Sequence, residues 1–313
     1  MTLAFVFPGQ GSQAVGMGRD LAEAFPVARH LFEEVDEALD QKLSKIMFEG
    51  PEETLILTEN AQPALMAVSM AVMRILAEDG NVTVANKAAF VAGHSLGEYS
   101  ALAAASAISL GDTARLLKLR GQSMQKAVPV GVGAMAAIIG PEFEVVRDIA
   151  AQAAGGQVCD VGNDNAPGQV VISGDTAAVE RAVKIAADQG VRRSIMLPVS
   201  APFHCALMEP AAHVMQDALA DTNLSAPVVP VVANVTAEAV SDPDVIRKLL
   251  VRQVTEMVRW RECVLAMRAD GAEQLVEIGA GNVLKTLTRR IDREMEAFAL
   301  GGIDEIEKFI QAL

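Results

Sequence analysis

Chemistry in this chain begins with a serine held between two glycines. Gly93-His-Ser-Leu-Gly97 is a G-x-S-x-G pattern, preceded by the apolar run Ala89-Phe-Val-Ala92. A strand that runs into such a turn and out into a helix lifts the serine hydroxyl above a sheet, so Ser95 is a candidate nucleophile. A helix predicted from Leu96 would aim its unpaired N–H groups at the same place. The plainer role for a serine at this position is a helix N-cap.

A serine nucleophile needs a base near neutral pH. The chain has four histidines. His30 sits among charges in "ARHLFEE" and reads as solvated. His94 adjoins the serine, but on this turn its side chain should point away from the nucleophile. His213 falls in the helical pattern "CALMEPAAHVMQDAL" and reads as structural. His204 lies in "LPVSAPFHCALM", a proline-punctuated loop of the kind that carries function. It ranks ahead of each rival without excluding them. The acids between Ser95 and His204, among them Asp160, Asp164 and Asp175, fall in a separate stretch of the chain. None follows a strand where a hydrolase triad would place its acid, which weakens a simple esterase reading.

A buried cation is the next candidate. On the helix predicted at 112–127, Thr113, Leu116, Leu117, Arg120 and Met124 share one face at spacings of three and four. Asp112, Arg115, Lys118, Gln122 and Lys126 share the other, where Arg115 and Lys118 read as ordinary solvated charges. An arginine on the apolar face needs an anion. That anion is either a protein carboxylate or the carboxylate of a substrate, which a guanidinium fork meets with both oxygens. Near the N-terminus, Gly9-Gln-Gly-Ser-Gln-Ala14 follows a strand and imitates a dinucleotide-binding loop. The second strand and its acidic end are missing, since the following region reads as helix. The loop is therefore a glycine-rich turn, or a set of exposed backbone donors.

These residues need a scaffold. Leu3–Phe7 "LAFVF" reads as a buried strand, with helices at 27–39 and 63–78. Ala89–Ala92 is a second strand, and 96–108 and 112–127 are helices. From about 129 the pattern runs strand ("GAMAAIIG"), helix, strand ("QVCDVGN"), the turn-rich "NDNAP", strand ("GQVVISG"), helix, strand ("RRSIMLPV"). That order is β-α-β-β-α-β, a ferredoxin-like unit. The expected class is α/β. A hydrolase-like larger domain with a parallel-sheet core spans 1–128 and 199–313, and a ferredoxin-like small domain is inserted at 129–198. "VVPVVANV" and "EQLVEIGAG" supply later strands.

Composition narrows the function. Of 313 residues, 51% are apolar and 21% charged, which suits a well-filled core. The formal net charge of -14 disfavours nucleic acid and anionic membranes as partners. The three cysteines, Cys159, Cys205 and Cys263, have neither zinc nor disulfide spacing and suggest a reduced, cytoplasmic protein. No metal site, secretory leader or membrane-spanning helix is expected.

Taken together, "FPGQGSQ" at 7–13, "GHSLGEYSAL" at 93–102, "LRGQSMQ" at 119–125, "NAPGQVVISG" at 165–174 and "PFH" at 202–204 resemble the malonyl-CoA:acyl carrier protein transacylase family. That family includes the acyltransferase domains of fatty acid and polyketide synthases. The resemblance implies Ser95 as nucleophile and His204 as general base and acid. It implies an oxyanion hole from the backbone N–H groups of Gln10 and Leu96, and Arg120 as partner of the malonyl carboxylate. Gln253, in "LVRQVTEMVRW", matches the position whose carbonyl orients the histidine. Met124, Phe203 and Asn165 complete the substrate-binding set, with Phe203-His204 resembling the malonyl-selective form. The implied reaction is ping-pong transfer of malonyl through a malonyl-serine, from malonyl-CoA to the phosphopantetheine thiol of acyl carrier protein. No cofactor is implied, because the phosphopantetheine belongs to the partner. The expected protein is a monomer that meets its acidic carrier on local positive charge, with Arg192-Arg193 and Lys285 with Arg289-Arg290 as candidates. The competing readings are a polyketide-pathway acyltransferase, a serine esterase or thioesterase, a patatin-like lipase, and a carrier-binding module without catalysis.

Overall fold

A computed structural model of the chain describes residues 2–199 and 201–312. It is a mixed α/β structure with two separate sheets. The strands are β1 (Leu3–Phe7), β2 (Ala88–Gly93), β3 (Gly133–Ile139), β4 (Cys159–Ala166), β5 (Gln169–Asp175), β6 (Arg193–Met196), β7 (Val231–Val232), β8 (Ala239–Val240), β9 (Gln274–Ile278) and β10 (Glu296–Leu300). The six-stranded sheet has the order β10-β9-β1-β2-β7-β8. Its first five strands run parallel, and β8 is an antiparallel edge.

All five residues of β1 are buried, as a central parallel strand covered on both faces requires. Helices Thr58–Gly80 and Gly97–Ala104 pack on one side of this sheet, and Trp260–Ala269 and Val283–Ile291 on the other. The four-stranded sheet has the order β4-β5-β3-β6 and is antiparallel throughout. Strand alternation splits its residues between two environments. Ala136, Ile138, Val170 and Ile172 face the helices Phe143–Ala154 and Thr176–Asp188. Met135 and Val171 face the opposite way, toward the first sheet.

Three expectations change. The helix expected from Pro63 starts at Thr58, so Asn60 and Gln62 are buried on a helical frame. Pro63 lies inside this helix, where it offers no N–H to the helical ladder. The alanine-rich helix expected to reach Ile108 stops at Ala104, where Ser106 adopts φ 61° and the Ala107 N–H returns to the Leu102 carbonyl. The turn expected across "NDNAP" is tighter. Strand β4 continues to Ala166, and Pro167-Gly168 make the reversal, with Gly168 at φ 67°.

The polar residues mistaken for a turn join the two sheets. The Asp164 N–H donates to the Val258 carbonyl and the Val258 N–H donates to the Gly162 carbonyl, both at 2.9 Å. Asp164 Oδ2 accepts from Arg261 Nε at 2.8 Å. Strand β4 is thereby fixed to the segment leading into the helix Trp260–Ala269.

Gly93 and Gly97 explain how β2 turns so sharply. A Cβ on Gly93 would lie 1.9 Å from the Gly97 carbonyl carbon, and one on Gly97 would lie 2.2 Å from the Phe7 carbonyl oxygen. Both contacts are with backbone, so neither can relax cheaply. Gly97→Ala is expected to cost at least about 2 kcal/mol of stability as an overpacking change. Denaturant unfolding checks this, and an unchanged midpoint would contradict the close approach.

Candidate active site

Ser95 occupies the turn between β2 and the helix Gly97–Ala104 with φ 53°, a strained conformation for a residue with a side chain. Asn234 holds it there. Its Oδ1 accepts from the Ser95 N–H at 2.8 Å, and its Nδ2 donates to the Gly93 carbonyl at 2.7 Å. One side chain thus takes the place of a neighbouring strand for the two ends of the turn. It also explains why "VVPVVANV" yields only a two-residue strand: the chain leaves the ladder to present Asn234.

His204 also has a left-handed backbone, φ 59°. Its Nε2 lies 2.8 Å from Ser95 Oγ, and its Nδ1 lies 2.7 Å from the backbone carbonyl of Gln253. A carbonyl can only accept, so Nδ1 carries the proton and Nε2 offers its lone pair to the serine hydroxyl. Burial, then the nearby Arg120 charge, pushes the imidazole down to about 3. The ring is therefore neutral at rest, with its Nε2 lone pair toward the serine hydroxyl. Among the described residues no carboxylate backs it: Asp164 is paired with Arg261, Asp175 accepts from the Val158 N–H, and Asp160 accepts from the Ala206 N–H.

Arg120 is 1% exposed. Its Nη1 donates to Gln62 Oε1 at 2.8 Å, and its Nη2 donates to Gln253 Oε1 at 2.9 Å and to Ser95 Oγ at 3.1 Å. The Tyr99 ring lies beside the guanidinium, 5.7 Å from centroid to Cζ. Among the described residues, no carboxylate is in salt-bridge contact with Arg120. A buried cation supported only by neutral acceptors and placed against the Ser95 hydroxyl is poised to meet an incoming anion.

Gln253 ties these groups together. While its carbonyl holds His204, its Nε2 donates to the Ser95 carbonyl at 3.0 Å, to Glu98 Oε2 at 2.9 Å and toward Asn234 Oδ1 at 3.2 Å. Glu98 is buried, also accepts from the Asn234 N–H, and is pushed up to about 7 by burial.

A cleft of about 620 Å³ between the two sheets opens onto this network. It is lined by Gln10, Ser95, Leu96, Arg120, Met124, Phe203, His204 and Asn165. Gln253 stands behind them. Gln10 and Leu96 make no backbone N–H hydrogen bond among the described residues, so both donors remain available. His94 does turn away from the Ser95 hydroxyl: its Nε2 meets Asn165 Oδ1 at 2.8 Å, and its ring packs near Trp260. Ile56, Leu57, Leu197 and Val199 add apolar walls toward the mouth.

Several expectations are corrected. His213 is exposed and beside Glu209, so it supports no core. Lys118 is no simple solvated charge, since it pairs with Glu59 and donates to Asn60 Oδ1. Arg290 is committed to the tip of the β4–β5 hairpin through Gln169 and the Pro167 carbonyl. Sequence reasoning missed Gln62, Glu98 and Asn234. Asn234 is a polar residue inside an apolar run, the one local signal among the three, while Gln62 and Glu98 stand among other polar residues.

Comparison with known proteins gives one picture. Residues 4–302 match the Acyl transferase domain family. A malonyl CoA-acyl carrier protein transacylase of Escherichia coli strain K12 is 46% identical over 95% of both chains. The crystal structure of an acyl-carrier-protein-S-malonyltransferase from Bartonella henselae is 54% identical, with TM-score 0.97 over 100% of this chain and 99% of that one. A malonyl-transacylase solved in complex with its type II PKS acyl-carrier protein is 42% identical, with TM-score 0.96 over 100% of both chains.

The neutral histidine is testable. His204 should stay unprotonated from about pH 8 down to about pH 5, followed by NMR of the ring. An ordinary titration near its unperturbed 6.5 would refute the burial argument. Because the folded value is depressed, this group favours the fold above about pH 6.5. That contribution is lost as the pH falls from there toward about 3.

Proposed function

The chain belongs to the acyl transferase family, and from that premise we propose how its residues move a malonyl group. The enzyme is a malonyl-CoA:acyl carrier protein transacylase that feeds fatty acid synthesis. The observation that carries this reading is Arg120. It is a buried guanidinium 3.1 Å from Ser95 Oγ, with no carboxylate in contact among the described residues. A malonyl carboxylate would meet it while the thioester carbonyl lies over Ser95.

In the first half-reaction the Ser95 hydroxyl gives its proton to His204 Nε2, and its oxygen bonds to the thioester carbon. The oxyanion points to the Gln10 and Leu96 N–H groups, which stabilise it as it forms. Collapse breaks the carbon–sulfur bond, and coenzyme A leaves with the proton from His204. In the second half-reaction the phosphopantetheine thiol of the carrier gives its proton to His204 and attacks the malonyl-serine. Ser95 leaves and recovers the proton. The chemistry calls for no metal or cofactor beyond the arm that the carrier brings. The apolar walls at the mouth of the cleft suit that arm, while Met124, Phe203 and Asn165 bound the acyl group.

A triad acid is not needed for this acceptor. A thiol is far more acidic than water, so a histidine oriented by a neutral carbonyl suffices to deprotonate it. This favours transfer over hydrolysis, and with it a transacylase over an esterase. The resemblance to a transacylase solved with a type II PKS carrier keeps polyketide supply as the second reading. The β4-β5-β3-β6 order and the βαββαβ succession support a ferredoxin-like small domain at 129–198. The parallel sheet and its serine turn support a hydrolase-like larger domain at 1–128 and 199–313. Among the described residues no helix is long and apolar enough to cross a membrane. We place the enzyme in the cytoplasm, where its buried cysteines stay reduced.

Incubation with malonyl-CoA should add one malonyl group to the intact mass. Ser95→Ala should abolish the adduct, and carrier protein rather than water should discharge it. Charge-assisted hydrogen bonds contribute about 1.5–3 kcal/mol each, and about 1.4 kcal/mol is tenfold. Malonyl should therefore be preferred over acetyl by at least about a hundredfold in kcat/KM, and Arg120→Ala should remove most of that preference. An equal preference in both proteins would make Arg120 purely structural. For carrier docking, charge reversal at Arg192-Arg193 or at Lys285 with Arg289 should raise the KM for carrier and spare acylation by malonyl-CoA. Arg290 drops out of that set because of its structural contacts. Parallel loss of both half-reactions would refute the docking assignment.

A further inference from the structure

Glu98 is a buried carboxylate that the mechanism does not use. It is 1% exposed, on the helix that begins just after the nucleophile. Among the described residues it has no salt-bridge partner. Its Oε2 is held by two neutral donors, the Asn234 N–H at 3.0 Å and Gln253 Nε2 at 2.9 Å. The nearest cation it senses is Arg120, and the Gln253 amide stands between them, with Oε1 toward the guanidinium and Nε2 toward the carboxylate. Before substrate arrives, and above about pH 7, the site thus holds one buried cation and one buried anion.

A malonyl carboxylate brings a second anion to the same cation. Like charges in one dry site cannot both stay ionised cheaply, and the less supported one takes a proton. The malonyl group would meet Arg120 directly through charge-assisted bonds. Glu98 has only neutral donors. We propose that Glu98 takes up a proton when malonyl is loaded onto the enzyme, so that Arg120 faces one anion at a time. Glu98 acts through Gln253 and Arg120 and does not touch the substrate, so it is a positioning residue. The inference rests on the reading of Arg120 as the partner of the malonyl carboxylate.

The surrounding groups leave Glu98 as the one that titrates. Arg120 faces it from the helix Leu110–Lys126, Cys263 from the helix Trp260–Ala269, and Tyr99 shares its own helix. Burial pushes Tyr99 up to about 12 and Cys263 up as well, so both stay neutral. His204, which bonds Gln253 from the other side, is pushed down to about 3, and burial pulls His94 down too. Glu98 itself, pushed up to about 7, is poised to change charge near neutrality.

The signs are definite. Below about pH 7 Glu98 is already protonated, and malonyl enters without proton uptake. Above it, each malonyl must bring a proton, so loading weakens as the pH rises. Acylation itself releases no net proton, because coenzyme A leaves as the thiol. An indicator dye in weak buffer at about pH 7.5 should report uptake of a large fraction of one proton per malonyl-serine formed, and none per acetyl-serine. The ratio of malonyl to acetyl kcat/KM should fall by up to about tenfold per pH unit above about pH 7. In Glu98→Gln the uptake and this slope should both vanish. A group that merely filled space would alter neither. Equal proton balance for the two substrates would overturn the inference, as would a slope that survives in Glu98→Gln. The dye measurement needs only the unaltered enzyme, so it stands even if the variant fails to fold. Unchanged preference in Arg120→Ala would overturn the parent reading as well. Lost preference there, with equal proton balance, would overturn this inference alone.

Discussion

The hydrogen bond from His204 Nδ1 to the Gln253 carbonyl, 2.7 Å long, is the contact on which the other site interactions depend. It fixes which ring nitrogen carries the proton, and so which one faces Ser95. It also places Gln253 at the centre of the site, where its side chain joins Arg120, the serine turn, Glu98 and Asn234. The usual solution, a carboxylate behind the histidine, would put another anion close to the substrate's own. A neutral carbonyl orients the ring without doing so. Arg120 can then stay unpaired against the Ser95 hydroxyl, and burial, together with a cation so close, keeps the histidine neutral. The oriented histidine, the free guanidinium and the buried carboxylate are one electrostatic arrangement.

The two sheets make that arrangement possible. The six-stranded sheet supplies the rigid part: β1 and β2 lie side by side, glycines permit the turn, and Asn234 braces it. The four-stranded sheet supplies the opposite wall, through Met135, Val171 and Asn165. It is held in register by the backbone exchange with Val258 and by the Asp164–Arg261 pair. His204 sits where the chain returns from one sheet to the other, so its position reports on both. The left-handed conformations of Ser95 and His204 are unfavourable locally and persist because the surroundings over-determine them.

Much of this was legible in the residues. The glycine-serine turn, the inward arginine and the β-α-β-β-α-β succession follow from spacing and period, because those patterns are local. The histidine could be ranked but not singled out by elimination. Its assignment, and that of Gln253, needed the resemblance to a family, since a backbone carbonyl leaves no mark in a sequence. Gln62, Glu98 and Asn234 were missed for a related reason. Their partners lie 58, 155 and 139 residues away along the chain, and pairing at such distances is set by the fold alone. The "NDNAP" misreading has the same origin. Asn and Asp favour turns when solvated, yet here Asn163 and Asp164 are buried in a strand, with Val258 meeting its backbone and Arg261 pairing with the Asp164 carboxylate. Arg290 looked like free surface charge for the same reason, its acceptors being more than a hundred positions away.

The backbone identity of the histidine's partner has an evolutionary consequence. Every amino acid carries a carbonyl, so no single substitution at 253 can delete the group that orients His204. Substitutions there act on the other half of the residue, the amide that serves Arg120 and Glu98. The surroundings of Arg120 and Glu98 can therefore drift at this position while His204 keeps its orientation. In a triad backed by a carboxylate the orienting group is itself a side chain and has no such shelter. A family built this way can vary the group it carries without first losing the means to carry it.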